Sequence, residues 1–144
     1  MAFIPVCEPM LAGNELKYVT EAVSTGWISS SGKYVTEFEN QFAEYCGRKY
    51  GIAVCNGTIA LHLALIGLGI GKGDEVIVPT FTMIASAFAV CYTGAKPVFV
   101  DADKDTWNID VKKIEEKITS KTKAIMPVHI FGKMCDMDAI QDRK

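Results

Sequence analysis

One turn in the sequence carries residue types that suit the binding of an anion: Asn56, Gly57 and Thr58. Before it, residues 50–55 are apolar and short enough for one buried strand, whereas residues 58–67 have the apolar spacing and length of a helix. The first N–H groups of a helix lack intrahelical partners, and a glycine beside them allows an anion to approach closely. The turn, with its hydroxyl on Thr58, is therefore a candidate phosphate cradle.

The same turn also has a purely structural interpretation. Asn-Gly is a common turn dipeptide, and every α/β protein needs tight turns between strands and helices. Neither established phosphate fingerprint is present, since the sequence has no G-x-G-x-x-G and no glycine-rich loop that ends in G-K-[ST]. The glycines of residues 67–73 precede a predicted strand and are interpreted as a turn. Spacing alone leaves both interpretations of Asn56-Gly57-Thr58 open.

The two histidines and two aspartates are weaker candidates. His62 lies inside the predicted helix and is interpreted as a packed helix residue. His129 closes a predicted strand, and doubly wound sheets bind ligands at the ends of their strands. Asp101 and Asp103 also follow a strand and are interpreted as a solvated turn with local hydrogen bonds. Because no C-x-x-C pair and no cluster of His, Cys and carboxylates is present, we predict no metal site.

Composition excludes several classes of function. The chain has 144 residues, of which 49% are hydrophobic, and a formal net charge of -2. This length and composition are enough for one domain with a hydrophobic core. Because the charges are balanced, the sequence has no excess of positive charge that would bind nucleic acid. The longest apolar stretch, residues 81–95, is too short and too interrupted by hydroxyl groups to cross a membrane. We expect neither a nucleic-acid nor a membrane partner.

The cysteines and the N-terminal sequence indicate a compartment. The five cysteines are odd in number and widely spaced, which is typical of a reduced protein. Cys55 and Cys91 have apolar neighbours and are expected to be small buried hydrophobic residues. Residues 1–10 lack the basic and then apolar segments of a signal peptide. We therefore expect a cytoplasmic protein.

Helix and strand patterns alternate along the chain. Helical periodicity is found over residues 14–25, 33–46, 58–67, 82–92 and 108–118, and a further helix begins near 135. Short apolar runs predict strands over residues 50–55, 75–78, 96–103 and 123–130. Strands that are apolar throughout, alternating with helices, are typical of a parallel sheet covered on both faces. The predicted class is α/β, and Asn14 is expected to cap the first helix.

Taken in order, residues 31–140 resemble the N-terminal part of the DegT/DnrJ/EryC1/StrS family. The most specific segments are "NGTIALHLAL", "GDEVIVPTFT", "PVFVDAD" and "TKAIMPVHIFG". The resemblance implies pyridoxal-phosphate-dependent (PLP-dependent) amination of a nucleotide-linked keto-sugar, with glutamate as the expected amino donor, in surface-polysaccharide or glycoside biosynthesis. It also implies the aspartate-aminotransferase-like fold (fold type I), of which residues 1–144 would form the N-terminal portion of the PLP-binding large domain.

The resemblance also implies roles for individual residues. The turn at Asn56 would hold the cofactor phosphate through the amides of Gly57, Thr58 and Ile59 and the Thr58 hydroxyl. Met83 would lie beside the cofactor ring, where the family usually has an aromatic residue, and a thioether can pack on a π-face.

Three further residues are implied to lie near the substrate. Trp27 and Ser29 belong to a loop that the family places near the active site, where they would contact the sugar or a partner subunit. His129 would lie near the substrate crevice.

No catalytic residue is expected within the chain. The family's Schiff-base lysine and its aspartate that pairs with the pyridinium nitrogen are expected beyond Lys144, with the rest of the large domain and a small C-terminal domain. The chain alone is therefore expected to be inactive. A homodimer is expected, because the family builds its active site between two subunits. Two alternatives stay open: a PLP- or pyridoxamine-phosphate-dependent sugar dehydratase of the same family, and a non-catalytic binding module.

Overall fold

The computed structural model describes residues 3–142, so the ends of the predicted domain and of the last predicted helix lie outside the described residues. The chain divides into two compact units, Met1–Ala53 and Val54–Lys144. In the first unit, α1 spans Glu15–Ser24 and α2 spans Lys33–Tyr45, which confirms both predicted helices. Gly26, with a φ of 75°, follows the end of α1 in the left-handed conformation that glycine adopts without strain.

The predicted Asn14 cap of α1 is not formed, and few residues of either helix are buried. Asn14 makes no side-chain cap hydrogen bond; instead, the Gly13 N–H donates to the Glu15 carboxylate at 2.9 Å. Helix α1 has no buried residue, and in α2 only Ala43 is buried. Periodicity predicts which face of a helix is apolar, but burial also requires a second surface against that face.

The second unit is a parallel α/β structure. Its strands are β1 (Glu75–Pro79), β2 (Lys96–Val100) and β3 (Thr122–Ile125). Its helices are α3 (Gly57–Gly67), α4 (Ala85–Tyr92), α5 (Val111–Ile114, continued by a 3-10 turn at Glu115–Lys117) and α6 (Met137–Gln141). The strand order is β2-β1-β3, and both pairings are parallel. The predicted class is confirmed.

The core has two layers because successive side chains of β1 point to opposite faces of the sheet. Val76 and Val78 pack with Leu65 of α3 and Val90 of α4 on one face. Ile77 packs on the other face with five further buried residues: Val100, Ile109, Ile114, Cys135 and Ile140. The central strand is thus covered on both sides, which explains its unbroken apolar sequence.

The predicted strand over residues 50–55 is wrong. These residues form no ladder, and the sheet consists of the three later strands. A strand needs a neighbour for its backbone groups, and here the Ala53 N–H donates instead to the Glu39 carboxylate at 2.9 Å. The strand predicted over residues 123–130 is shorter than expected, so His129 lies beyond the end of β3 rather than closing it.

Two further predictions are corrected. Cys55 and Cys91 are exposed, whereas Cys135 is the buried cysteine. Apolar sequence neighbours do not decide burial, since Cys91 lies on the side of α4 that faces away from the core formed by Ala89 and Val90. Among residues 3–142, no helix combines the length and the apolar character needed to cross a bilayer.

Candidate functional site

The first turn of α3 is built around the Asn56 side chain. Asn56 has an extended backbone (φ −165°, ψ 169°), and its Oδ1 accepts the Ile59 N–H at 3.0 Å. Its own carbonyl accepts the Ala60 N–H at 3.1 Å, the first backbone bond of the helix. This is an N-cap, and Asn is among the residues that favour this position. The cap holds the turn in one conformation before any ligand arrives.

Two backbone donors of this turn remain free. The Ile59 N–H is engaged with Asn56, whereas the N–H groups of Gly57 and Thr58 have no partner in the part of the chain that the structure describes. Unpaired amides at a helix N-terminus, together with the helix dipole, favour an anion by about 0.3–1 kcal/mol at exposed sites. The turn therefore offers two preorganised donors to an anion.

Gly57 has neither a conformational nor a packing reason to be glycine. It is absent from the glycines with positive φ, so its backbone conformation is open to other residues. A Cβ built at Gly57 meets no atom within 4 Å, so no neighbouring side chain or backbone excludes it. A Cβ at this position would project into open space. The structure of the chain itself therefore does not require glycine here.

Met83 lies just before α4, the helix that packs against α3. Its carbonyl accepts the Ser86 N–H at 3.0 Å, and the Thr82 and Ser86 hydroxyls are 2.9 Å apart. These bonds order the segment between β1 and α4, while the Met83 side chain stays 74% exposed. The thioether is therefore available to a ligand, and its contact with a cofactor ring stays a prediction.

His62, Asp103 and Asp101 make local contacts, in agreement with their interpretation from the sequence. The His62 ring lies edge-on to Tyr92 of α4, with ring centroids 5.7 Å apart, so His62 joins two helices. The Asp103 carboxylate accepts the N–H groups of Thr106 (2.8 Å) and Asp105 (3.1 Å), which lowers the pKa of Asp103, the Thr106 amide contributing most. This is a local turn that needs no ligand.

Asp101 is held by its own neighbours in the same turn. Its carboxylate accepts the Ala102 N–H at 2.9 Å and the Thr80 hydroxyl at 3.3 Å. Lys113 lies 3.6 Å away, and the Ala102 amide followed by Lys113 lowers the pKa of Asp101. No group of three or more His, Cys, Asp or Glu side chains within residues 3–142 is arranged to hold a metal ion.

Trp27 and Ser29 belong to the first unit, where both are exposed. The Trp27 N–H donates to the Ala22 carbonyl at 3.0 Å, which fixes the start of the loop after α1. Trp27 also lines a cavity of about 230 Å³ with Glu21 and Tyr34. Glu21 is occupied there, since it accepts the Lys33 ammonium at 2.7 Å and the Tyr34 hydroxyl at 2.6 Å. Contact of Trp27 or Ser29 with a substrate stays a prediction.

The loop after β3 contains a polar network that the sequence did not reveal. His129 is exposed, and its Nδ1 accepts the Cys135 N–H at 3.1 Å. Asn108 is 4% exposed and donates to the carbonyls of Lys133 (3.1 Å) and Met134 (3.0 Å). Its Oδ1 accepts the Ile130 N–H at 3.2 Å. A buried Asn with three partners was not predictable, because its partners follow it by more than twenty residues.

Comparison with known proteins identifies the family. Residues 9–143 match the model of the DegT/DnrJ/EryC1/StrS aminotransferase family. The GDP-perosamine synthase of Escherichia coli O157:H7 is 57% identical over 140 residues, which cover 97% of this chain and 38% of that protein. The GDP-perosamine synthase of Caulobacter vibrioides is 59% identical over 137 residues, which cover 95% and 37%. The chain thus spans a little over a third of the length of these curated relatives.

Solved structures show the same fold. A Streptococcus pneumoniae protein assigned as a sugar aminotransferase, in its PLP form, superposes with a TM-score of 0.89 at 36% identity, covering 97% of this chain and 36% of that one. 3-Amino-5-hydroxybenzoic acid synthase gives 0.85 at 41% identity, covering 94% and 35%. The fold is that of PLP-dependent aminotransferases. The chain belongs to the DegT/DnrJ/EryC1/StrS aminotransferase family.

Proposed function

We propose that this chain forms the N-terminal portion of the PLP-binding domain of an enzyme that transfers an amino group, from glutamate, to a nucleotide-linked keto-sugar. The likeness to two GDP-perosamine synthases at 57% and 59% identity supports this substrate class. A third relative, 52% identical, is a dTDP-3-amino-3,6-dideoxy-α-D-galactopyranose transaminase from Aneurinibacillus thermoaerophilus. Because these relatives make amino sugars, amination is favoured over the dehydratase alternative.

The observation that carries the proposal is the capped first turn of α3 with its open space. The N–H groups of Gly57 and Thr58 would donate to phosphate oxygens, with the Thr58 hydroxyl as a third donor, while Asn56 keeps the turn rigid. Met83 would pack against the face of the ring. When bound, PLP supplies the electron sink through which an amino group is moved.

No catalytic residue is assigned to this chain. The lysine and aspartate of the family that act on the cofactor are proposed to lie outside residues 1–144. A homodimer is proposed for the enzyme, because the family resemblance implies an active site built between two subunits. The residues described here would therefore bind and orient the cofactor rather than carry out proton transfer.

Gly57→Ala is expected to weaken PLP binding at least about tenfold while leaving stability unchanged or raising it by about 0.5–1 kcal/mol. The methyl group would project into open space without touching the protein, and a phosphate held by the adjacent Gly57 and Thr58 amides would have to avoid it. Gly67→Ala is the matched control, because Gly67 ends the same helix and a Cβ there also meets nothing within 4 Å. PLP affinity is measured by absorbance titration, and stability by urea unfolding.

The Gly67→Ala control separates a loss of PLP affinity caused at the first turn of α3 from a general effect of replacing a helix glycine. Gly67→Ala should bind PLP as the unmodified chain does. If Gly57→Ala also binds PLP with unchanged affinity, the phosphate is held elsewhere and the proposed cradle is wrong.

The substrate class is tested with a chimera. Residues 9–143 would replace the aligned segment of the Escherichia coli GDP-perosamine synthase, and the product would be assayed for GDP-perosamine. We expect activity within about tenfold of the parent enzyme, because most of the segment's residues are identical and the fold is shared. A chimera that folds and binds PLP but makes no GDP-perosamine would contradict the assigned substrate class, while the cofactor assignment would stand.

A further inference from the structure

His129 is placed where the sheet presents ligand-binding groups. It follows β3, and the carboxyl ends of β1, β2 and β3 meet at one edge because the three strands are parallel. Open α/β sheets bind ligands in the crevice outside the carboxyl ends of their strands. The His129 side chain is exposed at this edge rather than packed into the core.

The hydrogen bond to Nδ1 determines which ring nitrogen carries the proton. The Cys135 backbone N–H lies 3.1 Å from Nδ1 and can act solely as a donor, so Nδ1 must offer a lone pair. A neutral imidazole then has its proton on Nε2. Within residues 3–142, Nε2 has no hydrogen-bond partner, and the exposed ring therefore has one free N–H donor.

The segment that makes this contact is held at both ends. The Cys135 thiol donates to the Val128 carbonyl at 3.2 Å, and burial raises the pKa of this thiol, which keeps it protonated. Phe131 has a φ of 49°, in the left-handed region that residues other than glycine rarely adopt. The three hydrogen bonds of the buried Asn108 side chain reach Ile130, Lys133 and Met134. Asn108 thereby offsets the strain and fixes the distance between His129 and Cys135.

We propose that His129 is a ligand-binding residue whose Nε2–H donates to an oxygen of PLP at the carboxyl edge of the sheet, and that Asn108 is the positioning residue that holds it there. The proposal rests on the proposed function, since it requires a ligand at this edge. An oxygen acceptor is specified because a neutral N–H donor recognises lone pairs and not cations.

Two amide substitutions separate the functions of the two ring nitrogens. His129→Asn places an oxygen near the position of Nδ1, so it retains the acceptor for the Cys135 N–H and loses the outer donor. His129→Gln places an amide nitrogen near the position of Nε2, so it retains the donor and loses the contact with Cys135. The probes are PLP and inorganic phosphate, and thermal unfolding of each variant is measured beside them.

His129→Asn is expected to bind PLP about tenfold more weakly with an unchanged melting temperature, as for one lost hydrogen bond to a ligand oxygen. His129→Gln is expected to lose less PLP affinity and to melt at a lower temperature. Phosphate affinity should stay unchanged in both, because phosphate needs the first turn of α3 alone. Equal PLP affinity in the unmodified chain and His129→Asn would overturn the ligand contact. If phosphate affinity falls as much as PLP affinity, His129 belongs to the phosphate site, and this result also overturns the proposed ligand contact.

The positioning role of Asn108 is tested in the ligand-free protein by ¹⁵N NMR of the imidazole groups. The chain has two histidines, so a His62→Gln variant assigns both spectra. We expect the proton of the His129 ring on Nε2, and a mixture of the two tautomers in Asn108→Ala and in Asn108→Asp. A proton on Nδ1, or an unchanged spectrum in both Asn108 variants, would overturn it. A chain that binds neither probe contradicts the proposed function and the ligand contact, while this measurement still decides the positioning role.

Discussion

Asn56→Asp is expected to leave the free energy of unfolding unchanged, or to raise it by up to about 1 kcal/mol, while PLP affinity falls thirtyfold to a hundredfold. Aspartate caps a helix as well as asparagine does, and its charge favours the positive end of the helix dipole. The Oδ1 that accepts the Ile59 N–H is retained. The same charge would repel a phosphate bound at the Gly57 and Thr58 amides.

The size of this effect follows from Coulomb's law. A carboxylate and a doubly charged phosphate about 6 Å apart repel by about 1.4 kcal/mol at the dielectric constant of water and about 5.5 kcal/mol at an effective value of about 20. An intermediate repulsion of about 2–2.7 kcal/mol is about thirtyfold to a hundredfold in affinity. The repulsion is screened by salt, so the loss should shrink as ionic strength rises. Isothermal titration with PLP at two salt concentrations, beside urea unfolding, measures both quantities.

Asn56→Ser is the matched control, because serine caps the helix without a charge. It should bind PLP within about threefold of the unmodified chain. An aspartate variant that binds as tightly as the serine variant would show that no phosphate approaches this turn. The result would remove the cradle and leave family membership untouched.

Asn108→Ala is expected to lower the free energy of unfolding of the second unit by about 2–5 kcal/mol. The substitution removes three hydrogen bonds and leaves the carbonyls of Lys133 and Met134 without their side-chain partner. Each hydrogen bond contributes about 0.5–1.5 kcal/mol net, so the three lost bonds account for most of this change. The Ile130 N–H retains the Val128 carbonyl at 3.0 Å, which limits the loss at that group.

The measurement is chemical denaturation followed by circular dichroism. Asn14→Ala serves as the control, because Asn14 is exposed and makes no cap hydrogen bond, so the change should stay within about 0.5 kcal/mol. Similar effects of the two substitutions would mean that the buried network around Asn108 contributes little to stability.

The candidate cofactor site was partly predictable from the sequence. An Asn-Gly-Thr stretch before a helical pattern indicates a turn followed by a helix N-terminus, and the structure confirms that a helix begins there. The sequence did not indicate that the Ile59 amide is taken by the Asn56 cap, because the choice between N2 and N3 as the capped amide depends on the rotamer of Asn56. It also did not indicate that a Cβ at Gly57 would project into open space.

The loop network around His129 was not predictable. His129 was a candidate because it lies near the end of an apolar run, but its protonated nitrogen is set by the Cys135 amide. Asn108 stands in a sequence that indicates a turn before a helix, and none of its neighbours in sequence is one of its three partners. These contacts join residues far apart in the chain, and they form because the sheet places β2 and β3 on either side of β1.

By itself, the sequence determined the class of the fold, the alternation of helices and short apolar strands, the position of the turn that begins α3 and the family resemblance. These depend on local periodicity and on residue types at fixed spacing. The tertiary structure alone decided that residues 50–55 form no strand, that Cys55 and Cys91 are exposed, and that Asn108 holds the loop of His129. Burial, strand pairing and buried polar contacts require a second surface, and a sequence pattern does not specify which surface that is.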